Sequence, residues 1–158
     1  MYKLSVADLD SPSYFVAAAA VDLVRAEANR QSRVNTAALI ADLQSAMADG
    51  VGPIRTGAKL RRALDSIESL TAELGTSPAG RPAAFDLERL EWFDLRNMLT
   101  VAHAVAETAL ARGESRGAHQ REDFPETLPQ WQVHQTVRLA GGALQISGAP
   151  ADGRALAL

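Results

Sequence analysis

The chain has 158 residues, with 16 basic side chains against 19 acidic ones, a net charge of −3 and no cysteine. That is one domain's worth of sequence, long enough to bury a core without covalent staples. The missing thiols exclude disulfides, thiolate zinc sites and cysteine-ligated iron–sulfur clusters, and the mixed charge offers nothing to steer nucleic acid.

Met1–Leu9 is ambiguous between a short strand and an extended arm. Asp10-Ser11-Pro12 has the form of a helix start, and it predicts a first helix from Ser13 to about Arg30. Ala17–Ala20 suit close packing of that helix on a neighbour. The apolar run Phe15–Val24 falls short of the roughly 20 residues of a membrane span, is interrupted by Asp22 and has no cationic lead. A cytoplasmic protein, without direct membrane insertion, is the expectation.

Asn35 or Thr36 can cap a second helix through about Asp49, in which Leu39, Ile40, Leu43, Ala46 and Met47 follow the helical period. Gly50-Val51-Gly52-Pro53 is expected to end it. Thr56 or Gly57 opens a third helix, with Leu60, Ala63, Leu64, Ile67, Leu70, Thr71 and Leu74 on one stripe and Gly75 as its stop. After the Pro/Gly linker Thr76–Ala84, Asp86 starts the longest helix, to about Arg112. Its expected buried face is Leu87, Leu90, Leu95, Met98, Leu99, Ala102, Val105, Ala106, Ala109 and Leu110, and Arg112 suits the negative pole of the helix dipole.

Short turns between these helices predict an all-α fold: an antiparallel three-helix, spectrin-like bundle with an extra N-terminal helix. Beyond it the pattern turns to alternation. Gln132–Leu139 and Ala143–Ser147 flank Gly141-Gly142 and predict a small C-terminal β-hairpin, followed by a tail over Ala149–Leu158. The expected organisation is an N-terminal arm and helix over 1–35, the bundle over 36–129, and the hairpin and tail over 130–158.

The chemistry-bearing residues are few. No glycine-rich dinucleotide turn is present, and Gly50–Gly57 reads as an interhelical turn in which Pro53 removes a donor. His103, His119 and His134 lack the spacing of metal ligands, and Trp92 and Phe93 read as packing anchors. No cofactor, metal or catalytic residue is therefore assigned to this chain, and activity on its own is not expected.

The most informative segment is Ser115–Pro125, SRGAHQREDFP. It sets charge, glycine and an aromatic side by side where the longest helix ends. The candidate functional residues are Ser115, Arg116, Gly117, His119, Arg121, Glu122, Asp123 and Phe124, as groups that order the loop or dock a partner. In the first reading Arg116 and Arg121 pair with nearby carboxylates or helix-end carbonyls and His119 donates to backbone. In the second the same groups face a partner protein or an acidic ligand, and a prearranged loop would serve both.

With Asp94–Glu114 (DLRNMLTVAHAVAETALARGE) in front of it, this block resembles the C-terminal helical domain of succinate dehydrogenase and fumarate reductase flavoprotein subunits. Gln120 stands where the family usually has Tyr. Trp131 and His134 keep a W-x-x-H arrangement without its preceding acidic run, and Met47–Arg55 resembles an upstream segment without its Trp. The likeness runs over about Thr36 to His134. L-aspartate oxidases share the domain, and the REDFP ending favours the succinate/fumarate branch.

The resemblance implies a helical buttress for a separate FAD-binding flavoprotein subunit, near an iron–sulfur subunit, and membrane-peripheral through such a complex. The catalytic His and Arg residues of that family lie in domains this sequence lacks, and none is carried over. The alternative is a free-standing helical module that binds another protein or itself without a redox role.

Overall fold

The computed structural model describes residues 12–26, 34–81, 85–140 and 143–151. Among the described residues four α-helices form: α1 (Pro12–Arg25), α2 (Thr36–Val51), α3 (Gly57–Leu74) and α4 (Leu87–Ala111). Two very short strands, β1 (Ile54–Arg55) and β2 (Gln120–Arg121), pair in parallel. The chain closes with a hairpin of β3 (Val133–Ala140) and β4 (Ala143–Pro150). The expectations for Met1–Leu9, for the Asp10-Ser11 cap, for the Gly141-Gly142 turn and for most of the tail lie outside the described residues. So does the predicted extension of α1 beyond Ala26; the described helix ends at Arg25.

Side-chain caps fix where the helices begin. Asn35 accepts from the Ala38 amide, Thr56 from Lys59 and Asp86 from Arg89, each satisfying an amide with no intrahelical partner. Three contacts set the relative directions. Gly50 near the end of α2 lies on Ala63 near the start of α3. The Trp92 indole N–H at the start of α4 donates to the Leu74 carbonyl at the end of α3, at 3.2 Å. The Thr36 hydroxyl at the start of α2 donates to Glu91 at 2.8 Å. Neighbours α2–α3 and α3–α4 are thus antiparallel, which leaves α2 parallel to α4.

Leu39, Leu43, Leu60, Leu64, Ile67, Leu70, Leu95 and Leu99 fill the centre, and Trp92 closes one end with only 1% of its surface exposed. Phe93 packs edge-on to it, ring centroids 5.2 Å apart, so both aromatics anchor packing as expected. Thr71 faces outward and returns its hydroxyl to the Ile67 carbonyl.

Two expectations need correction. Gly50 does not end α2; it sits inside the last turn, and the helix runs through Val51. A Cβ there would stand 2.6 Å from the Ala63 Cβ and 3.0 Å from the Lys59 carbonyl, so glycine allows the two helices to cross this closely. The supposed single buried face of α4 is two faces. Leu95, Leu99, Ala102, Ala106 and Ala109 are buried, whereas Leu87, Leu90, Met98 and Val105 are exposed. The ten residues span too wide an arc for one core contact.

The hairpin is longer than the alternation predicts, with Val133 opposite Pro150 and Ala140 opposite Ala143. Val133, Gln135 and Val137 with Leu144 and Ile146 are half-buried on one face, while His134, Thr136 and Arg138 point to solvent.

Candidate functional site

The loop after α4 lies where three helix ends meet: the C-terminus of α2, the N-terminus of α3 and the C-terminus of α4. Arg121 is its centre, 2% exposed. Its Nη1 donates to the carbonyls of Ala109, Leu110 and Arg112 at 3.0 to 3.1 Å. Its Nε and Nη2 form a fork on Asp123 at 2.8 and 2.9 Å. The second Asp123 oxygen, Oδ2, also accepts the Gly57 amide at 2.8 Å, at the start of α3. The pair thus sets a cation on the negative pole of α4 and a carboxylate on the positive pole of α3, each favourable. The Arg121 cation holds the Asp123 carboxyl well below the usual range, with burial opposing and the Gly57 amide assisting. A Cβ on Gly57 would come within 3.1 Å of Oδ2, so glycine is what lets the carboxylate approach.

A second buried carboxylate lies just upstream. Glu114, with a fully buried side chain, accepts from Arg112 at 2.7 Å, from Arg116 at 2.7 and 3.2 Å, and from the Leu128 amide at 2.8 Å. The hydrogen bonds from Arg116 lead in drawing its pKa down to about 2, against the cost of burial; Glu114 in turn raises that of Arg116. Arg112 reaches further, to the carbonyls of Trp131 and Val133 at 2.9 Å each and to Gln135 at 3.2 Å, with its guanidinium 5.5 Å above the Trp131 ring. It ties the hairpin to the bundle. The sequence expectation placed Arg112 on the pole of α4; the structure gives that place to Arg121, and Arg112 serves the hairpin.

Arg55 completes the cluster. Its Nε donates to the carbonyls of Val51 and Gly52 at 3.2 and 2.7 Å, closing the end of α2. Its Nη1 stands 2.6 Å from the Nδ1 of His119. Arginine is always a donor, so Nδ1 accepts and the imidazole proton sits on Nε2. Nε2 is buried without a hydrogen-bond partner. The ring thus accepts from a guanidinium, an interaction the sequence reading did not include. Burial first and the Arg55 cation second push the His119 pKa down.

The eight candidate residues come together as follows. The Ser115 hydroxyl donates to the Phe124 carbonyl at 2.9 Å and accepts the Arg121 amide at 2.8 Å, bracing the loop from within. Arg116 and His119 exchange backbone hydrogen bonds of 2.8 and 3.0 Å around Gly117, whose φ of +57° suits glycine. The Glu122 amide donates to the Arg55 carbonyl at 2.9 Å, and its exposed carboxylate lies 4.0 Å from Lys59. Phe124 is half-exposed, its ring 4.9 Å from the Arg121 guanidinium. Of the loop's charged side chains Arg121 is buried, whereas Arg116, Asp123 and Glu122 keep 39, 38 and 58% of their side-chain surface exposed.

Sequence reasoning missed Glu114 and Arg55 as members. Glu114 was signalled by its place between Arg112 and Arg116; Arg55 was signalled only as the last residue of the Met47–Arg55 segment that resembles the family. Among the other histidines, His103 pairs with Glu107 at 3.7 Å and His134 faces solvent. Among the described residues no group of three or more His, Asp or Glu could hold a metal ion, and no helix is long and apolar enough to cross a membrane.

Comparison with known proteins gives a consistent picture. Residues 40–154 match the family model described as fumarate reductase flavoprotein C-term. The chain is 38% identical over 102 residues to a component of the fumarate reductase (CoM/CoB) of Methanothermobacter marburgensis, covering 65% of this chain and 19% of that protein. It is 34% identical over 113 residues to the fumarate reductase flavoprotein subunit of Mycobacterium tuberculosis, covering 70% of this chain and 19% of the other. Among solved structures, the Mycobacterium smegmatis Sdh1 complex in the apo form contains a chain that matches with a TM-score of 0.72 and 33% identity, over 86% of this chain and 24% of that one. The chain thus spans about a fifth of the length of these two curated relatives.

Proposed function

Because the chain belongs to the fumarate reductase flavoprotein C-terminal family, we propose that it is the helical buttress, as a domain or small subunit, of a succinate dehydrogenase/fumarate reductase-type oxidoreductase. The FAD and the dicarboxylate chemistry reside in a separate flavin-bearing unit, and an iron–sulfur subunit belongs to the same assembly. In this reading the chain has no catalytic or cofactor-binding residue of its own. Ser115, Arg116, Gly117, His119, Arg121, Glu122, Asp123 and Phe124 order the loop that locks three helix ends together. Association with a membrane, where it occurs, runs through the other subunits.

The observation that carries this reading is the coverage. The family match takes in most of the chain, yet that stretch is only the matching fifth of relatives named for fumarate reduction. The loop geometry supports it, since its arginines are spent on carbonyls and carboxylates of the chain itself. The test is the visible spectrum and the succinate and fumarate turnover of the purified chain. A colourless, inactive protein is expected; a bound flavin band, or turnover by the chain unaided, would overturn the proposal.

A further inference from the structure

Helix α4 presents a second apolar stripe that nothing among the described residues covers. Leu87, Leu90, Met98, Val101 and Val105 are 69, 56, 36, 61 and 41% exposed and share one side of the helix, about a third of a turn round from the core face. Phe85 stands at its head, 99% exposed, with φ of +64°. A bulky residue rarely adopts that backbone conformation, and here it turns a large apolar ring wholly into solvent. One charge, Asp94, interrupts the stripe.

Resting on the buttress reading, we propose that this stripe, rather than the charged loop, seats the flavin-bearing unit. Apolar partner surface would cover Phe85, Leu87, Leu90, Met98, Val101 and Val105, and a basic or N–H-donating group would meet Asp94. Two considerations favour that occupant over a second copy of the chain. From Leu87 to Val105 the stripe is about 27 Å long and about one helix wide, so two copies meeting along it alone would bury far less than the roughly 1,600 Å² of a stable interface. Parallel pairing of two copies would also set Asp94 against Asp94, and antiparallel pairing would set it against the apolar side chains near Met98, so neither supplies a cation. A larger partner with surface beyond the helix meets both demands, and the matched relatives carry about four fifths of their length outside the shared stretch.

The test uses the fumarate reductase flavoprotein subunit of Mycobacterium tuberculosis with its matching stretch replaced by this chain. Bound FAD per polypeptide and the number of melting transitions are measured for the chimera, and sedimentation and melting for the chain alone. The expected result is a flavin-loaded chimera with one transition, and a Met98→Glu/Val101→Glu version that loses most of its flavin and melts in two steps. The same pair of substitutions in the chain alone should leave its melting unchanged, and Ser69→Glu on the far side should leave the chimera intact. A chimera indifferent to the stripe substitutions would overturn the inference while sparing the buttress reading. A parent chimera unable to hold FAD would overturn both. A chain that sediments as a dimer and is made monomeric by Val101→Glu would assign the stripe to self-association instead.

Discussion

Replacing Arg121 with alanine tests the central claim about the loop. The guanidinium makes five hydrogen bonds, three to the end of α4 and two to Asp123, from a site 2% exposed. Adding those bonds singly would overstate the loss. The Asp123 side chain is 38% exposed and keeps the Gly57 amide, so water can replace part of what the arginine supplied. The vacated carbonyls lie at the buried end of α4, where Ala109 is only 5% exposed. The loss should therefore be that of deleting one member of a buried ion pair, about 3–5 kcal/mol. That is a large share of the roughly 5–15 kcal/mol by which a domain is stable. Arg121→Lys keeps the charge at the pole of α4 but cannot span both the carbonyls and the carboxylate, and should recover about half. Urea unfolding followed by helical circular dichroism measures this. With a slope of about 1–3 kcal/mol per molar, the alanine midpoint should fall by more than about 1 M. A loss under about 1 kcal/mol would show that the helix ends do not depend on this arginine.

Three further outcomes follow from the same geometry. Glu114→Gln puts an amide donor among Arg112, Arg116 and the Leu128 N–H, and should cost about 3 kcal/mol in the same unfolding assay. Stability should fall with acid in two stages. The folded state holds His119 below its ordinary 6.5, so the unfolded chain takes the proton first and stability declines from about pH 6.5 downward. A second decline begins near 4.5, as the unfolded carboxylate of Glu114 protonates before the folded one at about 2, with Asp123 adding to it below 3.8. His119→Gln should abolish the upper stage and leave the lower; equal slopes in both proteins between pH 5 and 6.5 would refute the assignment. Gly50→Ala should cost about 1–3 kcal/mol, because its Cβ meets the Ala63 Cβ and the Lys59 backbone, neither of which is a flexible side-chain end.

The helices were legible because their signals are local. Asn35, Thr56 and Asp86 are capping residues placed before apolar periodicity, and all three cap as their type suggests. The hairpin was legible from two alternating runs on either side of Gly141-Gly142. What the sequence hid depends on which element lies opposite. Periodicity assigned ten apolar residues of α4 to one face, because a repeat of 3 and 4 cannot say how many neighbours a helix has. The outward turn of Leu87, Leu90, Met98 and Val105 appears only once α2 and α3 are seen to occupy the other side. The parallel pairing of Ile54 with Gln120 and of Arg55 with Arg121 joins residues more than sixty positions apart, through strands too short to carry an alternation. The Arg55–His119 contact depends on that pairing, so no local pattern could announce it.

The same long-range logic bears on where a partner binds. None of α2, α3 and α4 has a basic residue in its last turn. Their terminal carbonyls are served from outside each helix: Val51 by Arg55, Leu74 by the Trp92 indole, and Ala109 and Leu110 by Arg121. Arg89 does the same for α1, donating to the carbonyls of Leu23, Val24 and Ala26. Caps supplied by neighbouring elements exist only when those elements have assembled, so helix ends and tertiary packing form together. A cation committed in this way is not free to greet another protein. A partner approaching the loop finds the Glu122 carboxylate, half of the Phe124 ring, the Gln120 amide and the part-exposed, already paired side chains of Arg116 and Asp123, with Arg121 and Glu114 out of reach. The uncovered side of α4 offers apolar side chains with no task inside the chain. A surface that rigid on one side and unsatisfied on the other is what the proposed buttress requires, with recognition on the helix and rigidity in the loop as the two roles the predictions above test.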